Sequence, residues 1–269
     1  MSSRGGLLRG TWTTVHGLPM YARVSAGPSN AGLPPVVMVH GLGVSGRYML
    51  PIAVRLCPAF PVAVPDLPGF GWSARPAHPL DVPGLADALA GWMRAWGWRA
   101  AALLGNSLGC QVIVDCALRY PGMVASAVLV CPTVDVAGRT ALRQLARALA
   151  DGLREPPSLL LLAAREYLAA GVGRDWRTFR YALRDPLEEK LPHVQVPTLV
   201  VAGGRDPIVP LRWAEEVARR LPRGRLAIIP SAPHAVNYSA PAELVRHVRP
   251  FLLGDVGSTV TAPTLGAGW

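Results

Sequence analysis

Short apolar runs alternate with helix-length segments along most of the chain. The runs are nearly continuous rather than alternately apolar and polar, which is typical of parallel strands covered on both faces. We predict strands at residues 36–39, 61–64, 100–104, 125–130, 198–202 and 225–229. Segments long enough for crossover helices lie at residues 85–96, 108–119, 211–220 and 241–253. This order predicts an α/β fold with a doubly wound, mostly parallel sheet.

The beginning of the chain departs from this pattern. Residues 11–15 and 20–24 are two short segments rich in β-forming residues, and His16-Gly17 lies between them. A short break of this kind between two such segments is typical of a hairpin turn. We therefore expect an antiparallel hairpin at the edge of the sheet.

A second departure covers residues 134–185, which contain Arg- and Leu-rich helical stretches interrupted by Pro156-Pro157 and no clear strand. We expect a helical cap over the carboxyl edge of the sheet, where open α/β sheets bind ligands. The predicted organisation is a core of residues 1–133 and 186–253, a cap of residues 134–185, and a disordered tail of residues 254–269 rich in Gly, Thr and Ala.

Length and composition exclude several classes of protein. The chain has 269 residues, of which 51% are hydrophobic and 16% charged. A chain of this kind can bury a full core, so it is not disordered throughout. Its apolar runs are far shorter than the roughly 20 residues that span a bilayer. The first residues lack the apolar stretch of a secretory signal. We therefore expect a soluble, cytoplasmic protein without a transmembrane segment.

The cysteines indicate neither a metal centre nor a disulfide framework. Cys57, Cys110, Cys116 and Cys131 form no CxxC pair and no Cys/His cluster with zinc spacing. Their apolar neighbours are typical of buried free thiols in a reducing compartment. We expect no metal site and no cofactor.

The formal net charge of +10 raises the possibility of a nucleic-acid partner. Lys190 is the only lysine, however, and the arginines are scattered without a basic tract, so we expect no nucleic-acid binding. Arg139, Arg143 and Arg147 are spaced to line one helix face. That face is either simply solvated or a docking surface for an acidic carrier protein or a carboxylate-bearing substrate.

The sequence GNSLG at residues 105–109 fits the pattern G-x-S-x-G and lies between a predicted strand and a predicted helix. In that context the serine stands on a sharp, strained turn. Side chains at Gly105 and Gly109 would collide with the neighbouring strand and helix. The helix dipole favours negative charge near Ser107 and near the Leu108 amide. Ser107 is therefore the candidate nucleophile.

A loop with glycines follows the strand at residues 36–39 and has the sequence HGLG. Such a loop can turn a backbone N–H toward the serine and so supply an oxyanion donor. By position the donors are the N–H groups of Leu42 and Leu108. His40 ends a strand beside this turn, and we interpret it as a residue that braces the loop.

An acid and a histidine follow two later strands. Asp206 lies in GGRDP after residues 198–202, and His234 follows the strand at residues 225–229. The chain order Ser107, Asp206, His234 is the one that accompanies a G-x-S-x-G turn. Because each residue follows its own strand, all three reach one rim of the sheet. Asp135 also follows a strand and is the alternative acid, although its ordinary role is that of a solvated or helix-capping residue.

These motifs, with DLPGFGWS at residues 66–73, resemble those of α/β-hydrolase-fold serine hydrolases with a helical cap, over about residues 11–253. The resemblance implies that Asp66 braces a tight turn beneath the pocket. GNS and GRDPIVP are similar to segments of the meta-cleavage-product C–C hydrolases. Those enzymes usually carry Trp directly after the catalytic histidine, where this chain has Ala235. They also carry Gly at the position of Cys110.

The sequence therefore predicts a cofactor-independent serine hydrolase that cleaves a carboxylic ester, thioester or lactone of a mostly apolar, small-molecule acyl substrate through an acyl-enzyme. C–C bond hydrolysis by the same triad is one alternative. A non-catalytic binding protein with this fold is the other, although a binder has no need of all three triad residues. A histidine base predicts a pH limb of kcat/KM near about 6–7. Substrate identity and oligomeric state stay open.

Overall fold

The structure is a computed structural model that describes residues 7–25 and 32–254. Its strands are β1 (Leu8–Val15), β2 (Leu18–Ser25), β3 (Val36–Val39), β4 (Val62–Pro65), β5 (Ala101–Asn106), β6 (Val124–Val130), β7 (Thr198–Gly203) and β8 (Gly224–Ile229). They form one sheet in the order β1-β2-β4-β3-β5-β6-β7-β8. Both pairings of β2 are antiparallel, and the pairings from β4 through β8 are parallel. The predicted mostly parallel sheet is confirmed.

The predicted hairpin is confirmed at the sheet edge, where β1 pairs with β2 up to Val15 and Leu18. His16 and Gly17 form the two-residue turn with φ values of 49° and 77°. Positive φ at both positions matches the right-handed twist of the two strands, and glycine adopts it without steric cost.

The central strands carry continuous apolar runs because they are covered on both faces. Every residue of β3, β4, β5 and β7 is buried. The edge strand β1 instead alternates between exposed and partly buried residues over much of its length. Burial on both faces removes the alternation that an edge strand shows, so the near-continuous runs were a reliable signal for parallel strands.

The helices are α1 (Leu50–Leu56), α2 (Val82–Ala95), α3 (Leu108–Arg119), α4 (Ala141–Gly152), α5 (Pro157–Ala170), α6 (Val172–Arg184), α7 (Leu187–Lys190), α8 (Leu211–Arg220), α9 (Val236–Ser239) and α10 (Pro241–Leu252). They flank the sheet, with α2 packed on α3 and α1 packed on α10. Helix α1 was not predicted, because seven residues are too few to show a helical repeat. Across residues 7–25 and 32–254, no helix has both the length and the apolar character needed to cross a membrane.

Helices α4, α5 and α6 occupy the segment predicted as the cap, between β6 and β7. The predicted interruption at Pro156-Pro157 separates α4 from α5. Gln111 of α3 ties this insert to the core, because its amide nitrogen donates to the Ala182 carbonyl at 2.9 Å. Lys190 also pairs with Asp115 of α3 and with Asp185, which follows α6. Residues 255–269 of the predicted tail lie outside the described residues.

The prediction that three arginines share one helix face is wrong. Thr140 is the N-cap of α4 and accepts a hydrogen bond from the Arg143 N–H, so Arg139 precedes the helix. The guanidinium groups bond to nearby groups of the protein: Arg139 to Glu188, Arg143 to the Ala137 carbonyl, and Arg147 to Asp135. Arg139 and Arg147 are therefore paired with acids of the protein, whereas Arg143 bonds to a backbone carbonyl at the surface.

The four cysteines are buried and unpaired, as the sequence predicts. Burial, together with the charges of Asp115 and Asp87, raises the pKa of the Cys116 thiol to about 12, although the charge of Arg94 lowers it. Cys110 donates its S–H toward the Gly105 and Val130 carbonyls, both 3.3 Å from Sγ, and burial raises its pKa as well. These thiols stay protonated and act as packing groups.

Candidate active site

Ser107 lies at the turn between β5 and α3 with φ 56° and ψ −121°. A non-glycine residue in this region is strained and persists only where the surrounding structure holds it there. A Cβ added at Gly109 would lie 2.4 Å from the Val39 carbonyl oxygen. One added at Gly105 would lie 2.7 Å from the backbone of Gly109 and from the Ile113 side chain. The close approach of strand and helix thus requires both glycines.

His234 and Asp206 are brought together across the ends of β7 and β8. The Nδ1 atom of His234 lies 2.8 Å from Asp206 Oδ2. The other carboxylate oxygen of Asp206 accepts the backbone N–H groups of Ile208 at 2.7 Å and Val209 at 3.0 Å. These bonds fix the carboxylate, which in turn orients the imidazole. Ser107 and His234 line the same cavity.

Asp135 has different partners. Its carboxylate accepts hydrogen bonds from Arg212 at 2.7 and 3.1 Å and from Arg147 at 2.9 Å. It also accepts the Ala137 N–H at 3.1 Å, so it caps the short turn that follows it. Burial acts to raise its pKa, but these hydrogen bonds and charges hold the pKa below the ordinary value. The acid that contacts His234 is therefore Asp206.

Two acids of the insert hold the backbone around His234, and no sequence motif singled them out. Asp151 Oδ1 accepts the His234 N–H at 3.1 Å. Glu155 Oε1 accepts the Ala235 N–H at 2.6 Å, and its other oxygen accepts the Ser239 hydroxyl. Both acids are buried. In the sequence these two acids are distinguished only by lying near Pro156-Pro157. An acid in such a position is as often solvated as bonded to the protein.

The acids around His234 change its proton affinity. Burial by itself lowers the pKa of the imidazole, but the charge and hydrogen bond of Asp206, together with the charges of Asp151 and Glu155, raise it to about 9. The structure therefore predicts a pH limb above the value of about 6–7 that an ordinary histidine gives. The charges of three acids act on this imidazole, and the sequence motif predicted only one of them.

Asn106, the variable residue of the G-x-S-x-G motif, connects the serine turn to the histidine loop. Its amide nitrogen donates to the His234 carbonyl at 3.1 Å and to the Val130 carbonyl at 3.3 Å. Its oxygen accepts the Tyr48 hydroxyl at 3.0 Å. Each polar atom of the buried amide thus has a partner, which fixes the spacing of the two loops.

Leu42 and Leu108 both line the cavity beside Ser107. Leu108 is the first residue of α3, so its N–H lies at the positive end of the helix dipole. The first N–H groups of a helix have no acceptor within the helix. Among the residues the structure describes, neither the Leu42 nor the Leu108 N–H has an acceptor. The two amides are therefore available to an anionic oxygen near Ser107.

His40 and Asp66 brace the neighbouring loops, as predicted. His40 Nε2 accepts the Leu67 N–H at 3.0 Å, so Nδ1 carries the proton that it donates to the Gly41 carbonyl at 2.8 Å. Asp66 accepts the backbone N–H groups of Gly46 at 2.8 Å and Trp72 at 2.9 Å. Burial lowers the pKa of His40, which keeps it neutral.

The cavity has a volume of about 550 Å³. Ser107 and His234 form part of its lining, and its other walls come largely from apolar side chains of the insert: Leu145, Leu149, Leu160, Val172, Trp176 and Phe179. A volume of this size accommodates a small organic molecule, and the lining favours an apolar one. Asp175 is an acidic exception on the wall formed by α6.

Cys131 lies beside the acid and the histidine. One potential ligand atom from each of Cys131, Asp206 and His234 lies within 4.8 Å of the others. Burial and the charge of Asp206 raise the pKa of the thiol well above its ordinary value. His234 Nδ1 is already bonded to Asp206. The chemistry of this cluster therefore fits a hydrogen-bonded acid–histidine pair packed against a neutral thiol.

Two named relatives are similar to this chain over most of their length. A poly(3-hydroxyalkanoate) depolymerase of Ectopseudomonas oleovorans is 28% identical over 228 residues, which cover 77% of this chain and 80% of the relative. A pimeloyl-[acyl-carrier protein] methyl ester esterase of Neisseria meningitidis is 30% identical over 251 residues, 81% of this chain and 93% of the relative.

A solved structure and a protein family are also similar to this chain. The crystal structure of a membrane phospholipase A, described as a bacterial virulence factor, superposes with a TM-score of 0.79 and 25% identity, covering 94% of this chain and 88% of its own. The profile of the alpha/beta hydrolase family matches residues 36–247, which is well over half of the chain. The chain belongs to the alpha/beta hydrolase family.

Proposed function

We propose that this protein is a serine hydrolase that cleaves a carboxylic ester with a mostly apolar acyl part. One observation carries the proposal. The strained serine at residue 107 shares an apolar cavity with His234, whose Nδ1 atom is bonded to a fixed carboxylate. A nucleophile, a base and a group that orients the base are the parts that acyl transfer to a side chain requires.

The proposed reaction runs through an acyl-enzyme. Neutral His234 takes the Ser107 proton at Nε2 while the serine oxygen attacks the ester carbonyl. The Leu42 and Leu108 N–H groups bind the oxyanion that forms, and Asp206 stabilises the imidazolium. The imidazolium then protonates the leaving alcohol. Water, activated by the same base, attacks the acyl-enzyme and releases the carboxylic acid.

The names of the two relatives, a methyl ester esterase and a poly(3-hydroxyalkanoate) depolymerase, support ester chemistry. The apolar wall of the insert supports a hydrophobic acyl chain, because burying such a chain is favourable by about 0.8 kcal/mol per methylene. Thioesters and lactones present the same electrophilic carbonyl and stay within the proposal.

The C–C hydrolase alternative is weakened at two packed positions. Ala235 stands where those enzymes usually have Trp, and its N–H is bonded to Glu155 at 2.6 Å. Cys110 stands where they have Gly, and its side chain is fully buried. Because Ala235 is small, the cavity wall next to His234 lacks the Trp side chain that the C–C hydrolases usually have at this position. The ester reaction is therefore the proposal.

A fluorophosphonate probe tests the proposal directly, because it reacts covalently with an activated serine. We expect one label per folded chain, located at Ser107, and hydrolysis of p-nitrophenyl esters that improves with acyl chain length. A folded sample that neither labels nor hydrolyses any ester would support the non-catalytic alternative instead. Preferential cleavage of a dienone C–C substrate in the same panel would move the assignment to C–C hydrolysis.

The pH dependence of kcat/KM tests the electrostatic role of the acids around His234. The base must be neutral, so kcat/KM rises with pH, and the raised pKa places the midpoint above the histidine range of about 6–7. Glu155→Gln removes one negative charge, which lowers the pKa of His234 and moves the midpoint to lower pH by roughly 0.5–1 unit. Initial rates across the pH range, at low substrate concentration, measure this shift.

Glu215→Gln is the matched control, because it removes the same charge from an exposed position on α8. We expect its pH profile to coincide with that of the wild type. A Glu155→Gln midpoint that stays in place, or that moves to higher pH, would contradict the assignment of His234 as the base under the influence of Glu155.

A further inference from the structure

Asp175 is a buried acid without a partner. The residue is 5% exposed, and within the part of the chain that the structure describes neither carboxylate oxygen has a hydrogen-bond partner. An unpaired polar group in such a position is costly, because it has lost its water and gained nothing in return. The same side chain lines the cavity that contains Ser107 and His234. A molecule bound there is therefore the candidate donor for the hydrogen bonds that the carboxylate lacks.

The groups around Asp175 do not neutralise it. Arg174, the preceding residue on α6, donates its Nη2 to the Pro76 carbonyl at 2.7 Å and packs against Gly69. Burial raises the pKa of Asp175 to about 6, although the charges of Arg174 and Arg75 lower it. The carboxylate is thus largely ionised at neutral pH and acts as a hydrogen-bond acceptor.

We propose that Asp175 accepts a hydrogen bond from a hydroxyl group carried on the acyl chain of the substrate. The inference rests on the proposed ester hydrolysis at Ser107. Two other acids line the same cavity, but Asp151 already accepts the His234 N–H and Glu155 the Ala235 N–H. Asp175 is the acid of the lining whose carboxylate has acceptor capacity left for a hydroxyl donor. The acyl chain is the relevant part because it stays bound through both steps, whereas the alcohol leaves after the first.

A hydroxyl fits the surroundings better than an ammonium group. Arg174 and Arg75 both act on the Asp175 carboxylate, so a cation next to it would also be repelled by two positive charges. A neutral donor avoids this repulsion and still provides the bond that the carboxylate lacks. The predicted substrate class is therefore an ester of a hydroxylated, otherwise apolar carboxylic acid.

Thermal unfolding separates a binding role from a structural one. If Asp175 has no partner in the folded protein, Asp175→Leu removes an uncompensated buried charge and raises Tm by about 2–8 °C. Asp175→Asn, which keeps the shape, should raise Tm as well. Arg180→Leu replaces an exposed residue on the same helix and should leave Tm nearly unchanged. A lower Tm in both Asp175 variants would show that the acid is needed for folding, and would overturn the inference.

Kinetics on matched esters identify the ligand group. The substrates are p-nitrophenyl octanoate, its derivatives with one hydroxyl at successive carbons, and the derivative with a terminal amine. We expect the wild type to prefer one hydroxylated ester over octanoate, and Asp175→Leu to lower that ratio of kcat/KM values by about 10- to 100-fold. Arg180→Leu should keep the wild-type ratio.

The outcomes distinguish this inference from the proposal on which it rests. If octanoate is hydrolysed but no hydroxylated ester is preferred, or if the preference survives in Asp175→Leu, the inference is overturned while ester hydrolysis stands. If the wild type instead prefers the ester with the terminal amine, and this preference is lost in Asp175→Leu, the group that binds Asp175 is a cation. That result would also overturn the inference. If the wild type hydrolyses none of these esters, the proposed function itself fails.

Discussion

Ser107→Ala is expected to lower kcat/KM for the ester substrate by about 10⁴- to 10⁶-fold, the scale on which a triad serine contributes. The substitution removes the only atom that attacks the carbonyl and leaves the oxyanion donors in place. Alanine keeps the Cβ that already occupies the strained φ of 56°, so the turn itself is unchanged. The measurement is the initial rate of p-nitrophenyl ester hydrolysis, with thermal unfolding recorded on the same samples.

Ser158→Ala provides the matched control, since it removes a hydroxyl from an exposed position on α5. We expect it to retain wild-type turnover and fluorophosphonate labelling, whereas Ser107→Ala loses both. A folded Ser107→Ala protein that keeps a tenth of the wild-type turnover would remove Ser107 from the role of nucleophile. The nucleophile would then be another group in the same cavity.

The parts of the site that could be predicted from sequence are those that a local pattern encodes. Ser107 belongs to a five-residue motif between a strand and a helix, and its geometry depends on contacts made by Gly105 and Gly109. Asp206 and His234 were identifiable because each follows an apolar run. Parallel strands bring their carboxyl ends to one rim, so the order along the chain was enough to predict their proximity.

The parts that could not be predicted depend on contacts between residues distant in the sequence. Asp151 reaches the His234 N–H from 83 residues away, and Glu155 reaches the Ala235 N–H from 80 residues away. Both lie in the insert, whose path over the sheet is set by packing and not by a repeat in the sequence. An acid near two prolines is usually solvated, so only the structure reveals its partner.

The pKa of His234 was misjudged for the same reason. The sequence identified one acid beside the imidazole, and an ordinary histidine value followed from it. In the structure burial lowers the pKa, but three acids together raise it to about 9. The arginine spacing shows the same limit on a smaller scale, because a local pattern does not include the neighbours that the fold supplies.

Asp206→Asn is expected to lower kcat by about 10⁴-fold, because it imposes the wrong tautomer on His234. One oxygen of Asp206 already accepts the N–H groups of Ile208 and Val209. In the variant the amide oxygen must take that place, which turns the amide nitrogen toward Nδ1 of His234. Two donors cannot face each other, so Nδ1 gives up its proton and Nε2 carries it. The nitrogen that faces Ser107 then cannot accept the serine proton.

Asp135→Asn is the comparison that decides between the two candidate acids. Asp135 bonds to Arg147 and Arg212 rather than to His234, so it has no tautomer to control, and kcat should fall by less than about tenfold. Its carboxylate is buried, so the variant should lose stability, and rates are to be compared well below its Tm. If folded Asp135→Asn proves the more damaged of the two in kcat, the orienting acid is Asp135. A kcat loss confined to Asp206→Asn, with Asp135→Asn altered mainly in Tm, assigns the orienting role to Asp206 and a structural role to Asp135.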